Sequence, residues 1–337
     1  MTESRIRDSR NRCLACLEDW DSGNGDYHPR CARSFFGKPE APVLEYNLTD
    51  MEKLAAKVLR SHSVVPGVQS KISLDLEPAS GGGKAGRLTL VGLWGRFILK
   101  PPSTRFPHMP EIEDATMRLG AGAGLPVVPR ILIRLASGEL AYLTRRIDRT
   151  IAGKSVLGPN GKAVGKIAME DLCQASGRLT EDKYKGSLEQ AGRVIRRYST
   201  QAGLDAINFF ELAVFCFLTG NADMHLKNFS LWKPDPGEVQ LSPAYDLLAT
   251  KLILPKDEDE TALTLNGKKK NLGRKDFDAL AASLELNPKA RDNAYQRLLS
   301  MRRTWSGILE KCLLPGTTRE SYGGLVAQRI ARLKRRS

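Results

Sequence analysis

An apolar run that ends abruptly in polar residues constrains this chain most. Asn208–Gly220, NFFELAVFCFLTG, is apolar on nearly every side, so as a helix it must lie in a core. NADMHLKNFSL, 221–231, follows without a spacer. Polar side chains that come straight after a buried helix start from a rigid frame and emerge at a surface or cleft. Here they are Asp223, His225, Lys227 and Asn228, and Asp246 follows in SPAYDLL after a loop rich in Pro and Gly.

Those residue types, in that order, suit transfer of the terminal phosphoryl group of ATP. Such transfer needs positioning and charge neutralisation more than covalent chemistry. Asp223 can accept the proton of an attacking hydroxyl, and Lys227 can neutralise the migrating group. Asn228 and Asp246 offer hard oxygen ligands for Mg²⁺. Taken singly, Asp223 reads equally well as a helix N-cap and His225 as a satisfied structural histidine; the combined order points to catalysis. Upstream, Lys100 ends the strand-like FILK and is placed to reach the α- and β-phosphates, with Glu113 of PEIEDA to hold it. Alone, Lys100 would be a strand-end surface lysine and Glu113 a first-turn acid serving the helix dipole. VVPGVQSK supplies a glycine turn whose backbone N–H groups could cover phosphates, through Val65, Gly67, Val68, Gln69 and Lys71. The GGGK segment is not a P-loop, because Ala85 follows Lys84 where Ser or Thr would bind magnesium.

The periodicity changes along the chain. ISLDLE, RLTL and FILK alternate as strands, and RILIRLASGELAYLTRR reads as a hairpin turning at Ser137-Gly138. LTDMEKLAAKVLRS, with a capping Thr or Asp, and PEIEDATMRLGAG are helical. From about residue 166 onward the pattern is helical: IAMEDLCQASG, SLEQAGRVIRRYST, the apolar run, and 277–314. A sheet-rich half followed by a helix-rich half predicts an α+β fold of two lobes with a cleft, and 337 residues suffice for two cores. The expected division is a Cys-rich unit over 1–40, a nucleotide-binding lobe over 41–150 and a helical lobe over 151–337.

In the first 40 residues, Cys13-x-x-Cys16 and His28-x-x-Cys31 flank a turn-rich loop. Three thiolates and an imidazole make a tetrahedral zinc set. The alternative is ordinary core cysteines beside a loop histidine. A segment with so little apolar material needs a staple, which favours Zn²⁺. Cys173, Cys216 and Cys312 sit in apolar or helical contexts and are expected as buried thiols. The net charge of +14 would attract nucleotides or acidic surfaces. Most of it reads as solvated surface. The basic ARLKRRS lacks interleaved aromatics, so direct nucleic-acid binding is not expected. No run of about 18 apolar residues and no export signal stand out, so a cytoplasmic chain without a membrane span is expected.

GVQSK, FILKPP, the acid of PEIED, RRIDR, MEDLCQASG, KY (183–184), GNADMHLKNFSL and SPAYDLL come in one order over roughly residues 60 to 250. In them the chain resembles the HipA-type serine/threonine kinases of bacterial toxin–antitoxin systems. The resemblance implies a two-lobed protein-kinase-like α+β fold that uses ATP and Mg²⁺ on a protein substrate with a Ser or Thr acceptor. It implies Asp223 as base, Lys227 as a phosphate-contacting charge, Asn228 and Asp246 as metal ligands, and Lys100 as nucleotide lysine. Backbone groups near Arg145 and Ile147 would meet adenine, His225 would order the catalytic loop, and Gln174 would be structural. It also implies a DNA-binding antitoxin partner.

Two departures from the family pattern stand out. Family toxins carry a Ser three residues before the loop glycine, whose phosphorylation switches the kinase off; Val64 stands there, with Ser63 one place away on the opposite strand face. Self-inactivation by that route is not expected. Long members also carry an additional N-terminal subdomain, and a separate small protein is expected to supply it. A nucleotide- or partner-binding module without transfer, a small-molecule kinase, and a basic zinc-containing nucleic-acid binder are the competing readings.

Overall fold

The computed structural model describes residues 11–20, 25–61, 71–77, 86–91, 95–150 and 165–335. The chain forms two compact units, one of residues up to 114 with 128–166 and 311–314, the other of 115–127, 167–310 and 315–337.

In the first unit, helix α1 (Pro29–Phe36) begins on proline, whose missing N–H costs nothing there, and ends on Gly37 at φ 82°. Helix α2 (Leu48–Ser61) follows. Its cap is Asn47, whose Oδ1 accepts from the Asp50 N–H at 2.8 Å while Asp50 accepts from the Asn47 N–H at 3.2 Å. This reciprocal bond places the cap ahead of the Thr or Asp expected from sequence.

Strands β1 (Ile72–Glu77), β2 (Arg87–Leu90) and β3 (Phe97–Lys100) precede helix α3 (Met109–Gly122), which starts in the first unit and runs on into the second. Strands β4 (Arg130–Arg134) and β5 (Leu140–Arg145) form the expected hairpin. The five strands make one antiparallel sheet in the order β2-β1-β3-β5-β4. The short β6 (Arg149–Thr150) and β7 (Gly165–Lys166) pair separately. Leu74, Phe97, Leu99, Ile131 and Leu143 on the sheet share one core with Cys13, Leu14, Tyr27, Phe35 and Phe36. The Cys-rich segment therefore buries its apolar side chains against the sheet.

In the second unit, after the end of α3, come strand β8 (Met169–Asp171) and helix α4 (Leu172–Ala175). The helix expected over 167–177 is thus only four residues long. Met169–Asp171 is extended because β9 (Ser230–Trp232) pairs with it, a tertiary pairing that local periodicity does not show. Asp171 then caps α4 in a reciprocal capping box with Gln174, the structural role expected for Gln174. Helices α5 (Leu188–Tyr198) and α6 (Ala202–Thr219) come next; β10 (Gln240–Leu241) completes a three-stranded sheet on β9. After the short α7 (Thr250–Ile253) come α8 (Arg274–Ser283), α9 (Pro288–Ser300), α10 (Arg302–Lys311) and α11 (Gly316–Lys334).

Helix α6 is the spine of this unit. Phe209, Phe210, Phe215 and Phe217 meet Phe229, Tyr295, Trp305 and Phe277 edge-on or tilted, with centroids 5.2–5.8 Å apart. Such ring pairs add about 0.5–1.5 kcal/mol each beyond area burial. By mean hydropathy (1.5) its 18 residues could span a membrane, but 67% of them are buried inside the unit. Its buried Asp205 accepts from the Leu241 N–H at 2.7 Å and from the Ser199 hydroxyl at 2.6 Å. These are the marks of a core helix.

Candidate active site

The polar loop is hung from the end of α6. Gly220 closes the helix at φ 74°, and its N–H and that of Asn221 reach back to Phe217 O (3.2 Å) and Cys216 O (2.9 Å). A Cβ at Gly220 would lie 2.6 Å from Leu325 and 3.1 Å from Lys251, so only glycine makes this turn. The buried Arg329 guanidinium donates to Phe217 O and lies 4.6 Å from the Phe217 ring centroid. A cation thus sits at the negative end of the helix dipole. The Thr250 hydroxyl accepts from the Ala222 N–H at 2.9 Å and donates to Gly220 O at 3.2 Å, which fixes the loop's first residues.

Beyond that turn the loop is held by its own polar groups. Asn221, 1% exposed, accepts the Asp223 N–H at 3.1 Å. The Asp223 carbonyl accepts from the His225 N–H and from Asn228 Nδ2, both at 2.9 Å. The Asn228 amide is thereby oriented with Oδ1 as its remaining pole. The Asp223 carboxylate is exposed, and Oδ1 accepts from the Tyr184 hydroxyl at 2.8 Å. Burial and the facing carboxylate hold the Tyr184 phenol well above its usual pKa, so it stays a neutral donor. Its ring meets the buried His225 ring edge-on at 4.9 Å, and Lys183 O accepts the Leu226 N–H at 3.0 Å. The KY dipeptide is thus laid along the loop. Lys227 Nζ pairs with Asp171 Oδ2 at 2.8 Å. One of its three protons is so engaged.

Asp246 enters through its neighbour. The Tyr245 hydroxyl donates to Lys227 O at 3.0 Å and shares a 2.6 Å hydrogen bond with the buried Ser230 hydroxyl. This ties the Tyr-Asp segment to the loop carrying Lys227 and Asn228. Asp246 itself sits at φ 55°, a left-handed conformation that Asp tolerates better than most residues and that concentrates at functional sites.

In the first unit, Lys100 and Glu113 are 2% and 0% exposed and form an ion pair. The Lys100 ammonium also lies 5.4 Å from the Tyr142 ring centroid. Arg145 ends β5, and its N–H is committed to Pro129 O at 3.0 Å. Ile147 lies between Arg146 and Asp148, whose side chains pair at 2.7 Å. Lys71 is exposed just before β1. Val65, Gly67, Val68 and Gln69 of the glycine turn lie outside the described residues, as do Ser63 and Val64.

A second constellation lies in the same unit. The ligand atoms of Cys13, Cys16, His28 and Cys31 all fall within 4.8 Å of one another. His28 Nδ1 is 3.3 Å from Cys16 Sγ and 3.8 Å from Cys31 Sγ. A tetrahedron around Zn²⁺ with Zn–S of about 2.3 Å has edges of about 3.8 Å, so the set has the right size. His28 Nε2 lies 3.2 Å from Asp19 O, a bond that puts the proton there and leaves Nδ1 as the ligand atom. Burial pushes the Cys13 thiol up, but the N–H groups of Cys16, His28 and Ala15 pull it down further, to about 7. Burial and the neighbouring sulfurs push Cys31 up to about 12.

Tyr184, Asp171, Tyr245, Asn221 and Thr250 received no role in the sequence reading. Tyr184 and Asp171 belong to KY and MEDLCQASG, whose place in the motif order was the signal available for them.

A buried strand lysine paired with a helix glutamate, and an Asp–Lys–Asn loop backed by Tyr-Asp, are the parts of a protein-kinase-like α+β fold. The profile of the HipA-like C-terminal domain matches residues 63–305, and the chain belongs to that family. A protein of Sinorhizobium fredii named "Putative kinase Y4dM" is 34% identical over 264 residues, covering 74% of this chain and 60% of that protein. A second from the same organism, and a "Putative kinase" of Haemophilus influenzae, are 35% and 28% identical over 63% and 47% of this chain. The chain spans about half the length of those two, 48% and 46%. Among solved structures, HipA of Shewanella oneidensis, in complex with HipB and operator DNA, superposes with a TM-score of 0.63 at 21% identity, over 80% of this chain and 65% of that one. The Helicobacter pylori proinflammatory kinase CtkA gives 0.50 at 14% identity, over 77% and 93%. Both show the fold.

Proposed function

We propose that the chain is an ATP- and Mg²⁺-dependent serine/threonine protein kinase of HipA type, acting on a host protein as a toxin or effector. The observation that carries this reading is the loop in which Asp223, Lys227 and Asn228 are held by the end of a buried helix, with Tyr245-Asp246 tied onto it. The acceptor hydroxyl gives its proton to the Asp223 carboxylate as its oxygen bonds the γ-phosphorus. The bond from that phosphorus to the oxygen bridging to the β-phosphate breaks, and ADP leaves. Asn228 Oδ1 and the Asp246 carboxylate are oxygen donors of the kind Mg²⁺ prefers, and Mg²⁺ held there would neutralise phosphate charge. Lys227, anchored by Asp171, keeps protons for the transferred group, and Lys100, held by Glu113, serves the α- and β-phosphates. Tyr184 fixes one oxygen of Asp223, which leaves the other to face the acceptor. One Zn²⁺ at Cys13, Cys16, His28 and Cys31 is the remaining proposed cofactor.

The proposed partner is a DNA-binding antitoxin, by analogy with the HipB complex of the Shewanella protein. The test is radiolabelled ATP with host cell lysate, comparing the native chain with Asp223→Asn. Label on host protein that disappears with the variant supports the reading. Equal labelling, or none with either, removes it.

A further inference from the structure

The zinc proposed above, on which this inference rests, has a consequence for a residue it never touches. The Cys-rich segment grips the sheet in two places. At β4, the sheet's edge strand, Leu14 O accepts the Leu132 N–H at 3.2 Å, the Tyr27 hydroxyl donates to Leu132 O at 2.7 Å, and Asp26 accepts from Arg134 at 3.1 and 3.2 Å. At β3, Phe35 and Phe36 of α1 pack on Phe97 with ring centroids 5.7 and 6.1 Å away. Helix α1 starts directly after His28 and carries Cys31 in its first turn, so two of the four ligand residues fix the helix that presents those rings. Cys13 and Cys16 flank the backbone that bonds β4 through Leu14. Their turn closes on Leu17 at φ 63°, a left-handed conformation costly for a bulky residue and stable only where surroundings impose it.

Phe97 and Leu99 face this core, while Lys100 ends the same strand and meets Glu113 on α3. β5 pairs with both β3 and β4, so the gripped strands are those flanking it. We infer that Zn²⁺ at Cys13, Cys16, His28 and Cys31 is a structural clamp that seats β3, and through β3 sets how well Lys100 holds a nucleoside triphosphate. The metal acts from the face of the sheet opposite the lysine. Zinc content and nucleotide affinity are therefore linked, with no ligand residue touching nucleotide.

The experiment uses the full chain and a fluorescent ATP analogue. Metal analysis of the purified protein is expected to give one zinc per chain. Zinc is stripped by chelation, the chelator is removed and Mg²⁺ is restored to the same level in both samples; the stripped chain should then bind the analogue roughly 2- to 30-fold more weakly, the range of coupling through packed side chains. Added zinc should restore the affinity. Phe36→Leu, which keeps every ligand, should weaken affinity while zinc content stays at one. If the stripped chain unfolds as a whole, Phe36→Leu decides. No zinc in carefully purified protein removes the zinc reading itself. Zinc present, with affinity unchanged by chelation or by Phe36→Leu, removes the clamp and leaves the zinc reading standing.

Discussion

Lys100 and Asp223 are the two charges on which the proposed reaction most depends, and they are held in opposite ways. Lys100 is sealed: 2% exposed, ion-paired with a fully buried Glu113 and backed by the Tyr142 ring. Asp223 is open to solvent, and its carboxylate leans on one tyrosine hydroxyl while its backbone is pinned from three sides. The buried pair has a large desolvation cost that the ion pair helps to offset, so its geometry is part of the fold. The exposed carboxylate contributes little to stability, so its geometry depends on the loop beneath it. One charge is positioned by burial and the other by a scaffold.

That contrast predicts that stability and activity separate between the two. Lys100→Met leaves Glu113 buried without its cation and should cost about 3–5 kcal/mol, read as a large fall in the first unit's melting temperature. Asp223→Asn should leave stability within about 0.5 kcal/mol yet lower phosphoryl transfer by roughly 100-fold or more, through loss of the base. If Asp223→Asn melts the protein, or Lys100→Met leaves the melting temperature in place, the comparison is wrong. The double variant Lys100→Met with Glu113→Leu sharpens it. Removing both charges should recover most of the stability, because well-packed apolar replacements of buried ion pairs are often neutral or better, while transfer stays lost.

Asp171→Ala should have an intermediate effect. It removes the N-cap of α4, worth about 1 kcal/mol, and releases Lys227. Asp171→Asn keeps a capping oxygen and removes the charge. If the ion pair matters for phosphate positioning, both variants should raise KM for ATP, and only Asp171→Ala should lower the melting temperature. Unchanged ATP dependence in both would confine Asp171 to the helix cap.

Sequence and structure agree most where local pattern decides. The strands ISLDLE, RLTL and FILK, the hairpin at Ser137-Gly138 and the buried α6 are legible from alternation, turn residues and an all-apolar helix. The Cys13–Cys31 set is legible because its four residues lie within 19 positions and carry ligand spacing. Contacts across long stretches of chain are not. Tyr184 meets Asp223 across 39 residues and Asp171 meets Lys227 across 56, and neither Tyr nor Asp carries a local signature for such a role. The same limit explains the strand at Met169–Asp171, whose partner β9 lies some 60 residues on. Lys100 marks the other side of this limit. Its sequence signal was weak, yet it is among the most completely buried charges described, because burial is a property of the fold rather than of spacing.

Tyr184→Phe should show the smallest effect and tests the finest point of the comparison. The variant keeps the ring that meets His225 and removes only the hydroxyl that donates to Asp223. An exposed carboxylate that loses one positioning hydrogen bond samples more rotamers but remains a base. A loss of roughly 3- to 10-fold in kcat, with KM for ATP and melting temperature unchanged, is the expected result. Tyr184→Ala should lose the ring contact as well, and should lower both kcat and melting temperature. A rise in kcat for Tyr184→Phe would mean that the phenol occupies the acceptor's place and holds the enzyme back. Asp223 would then be restrained by a competitor for the acceptor hydroxyl rather than supported by its scaffold.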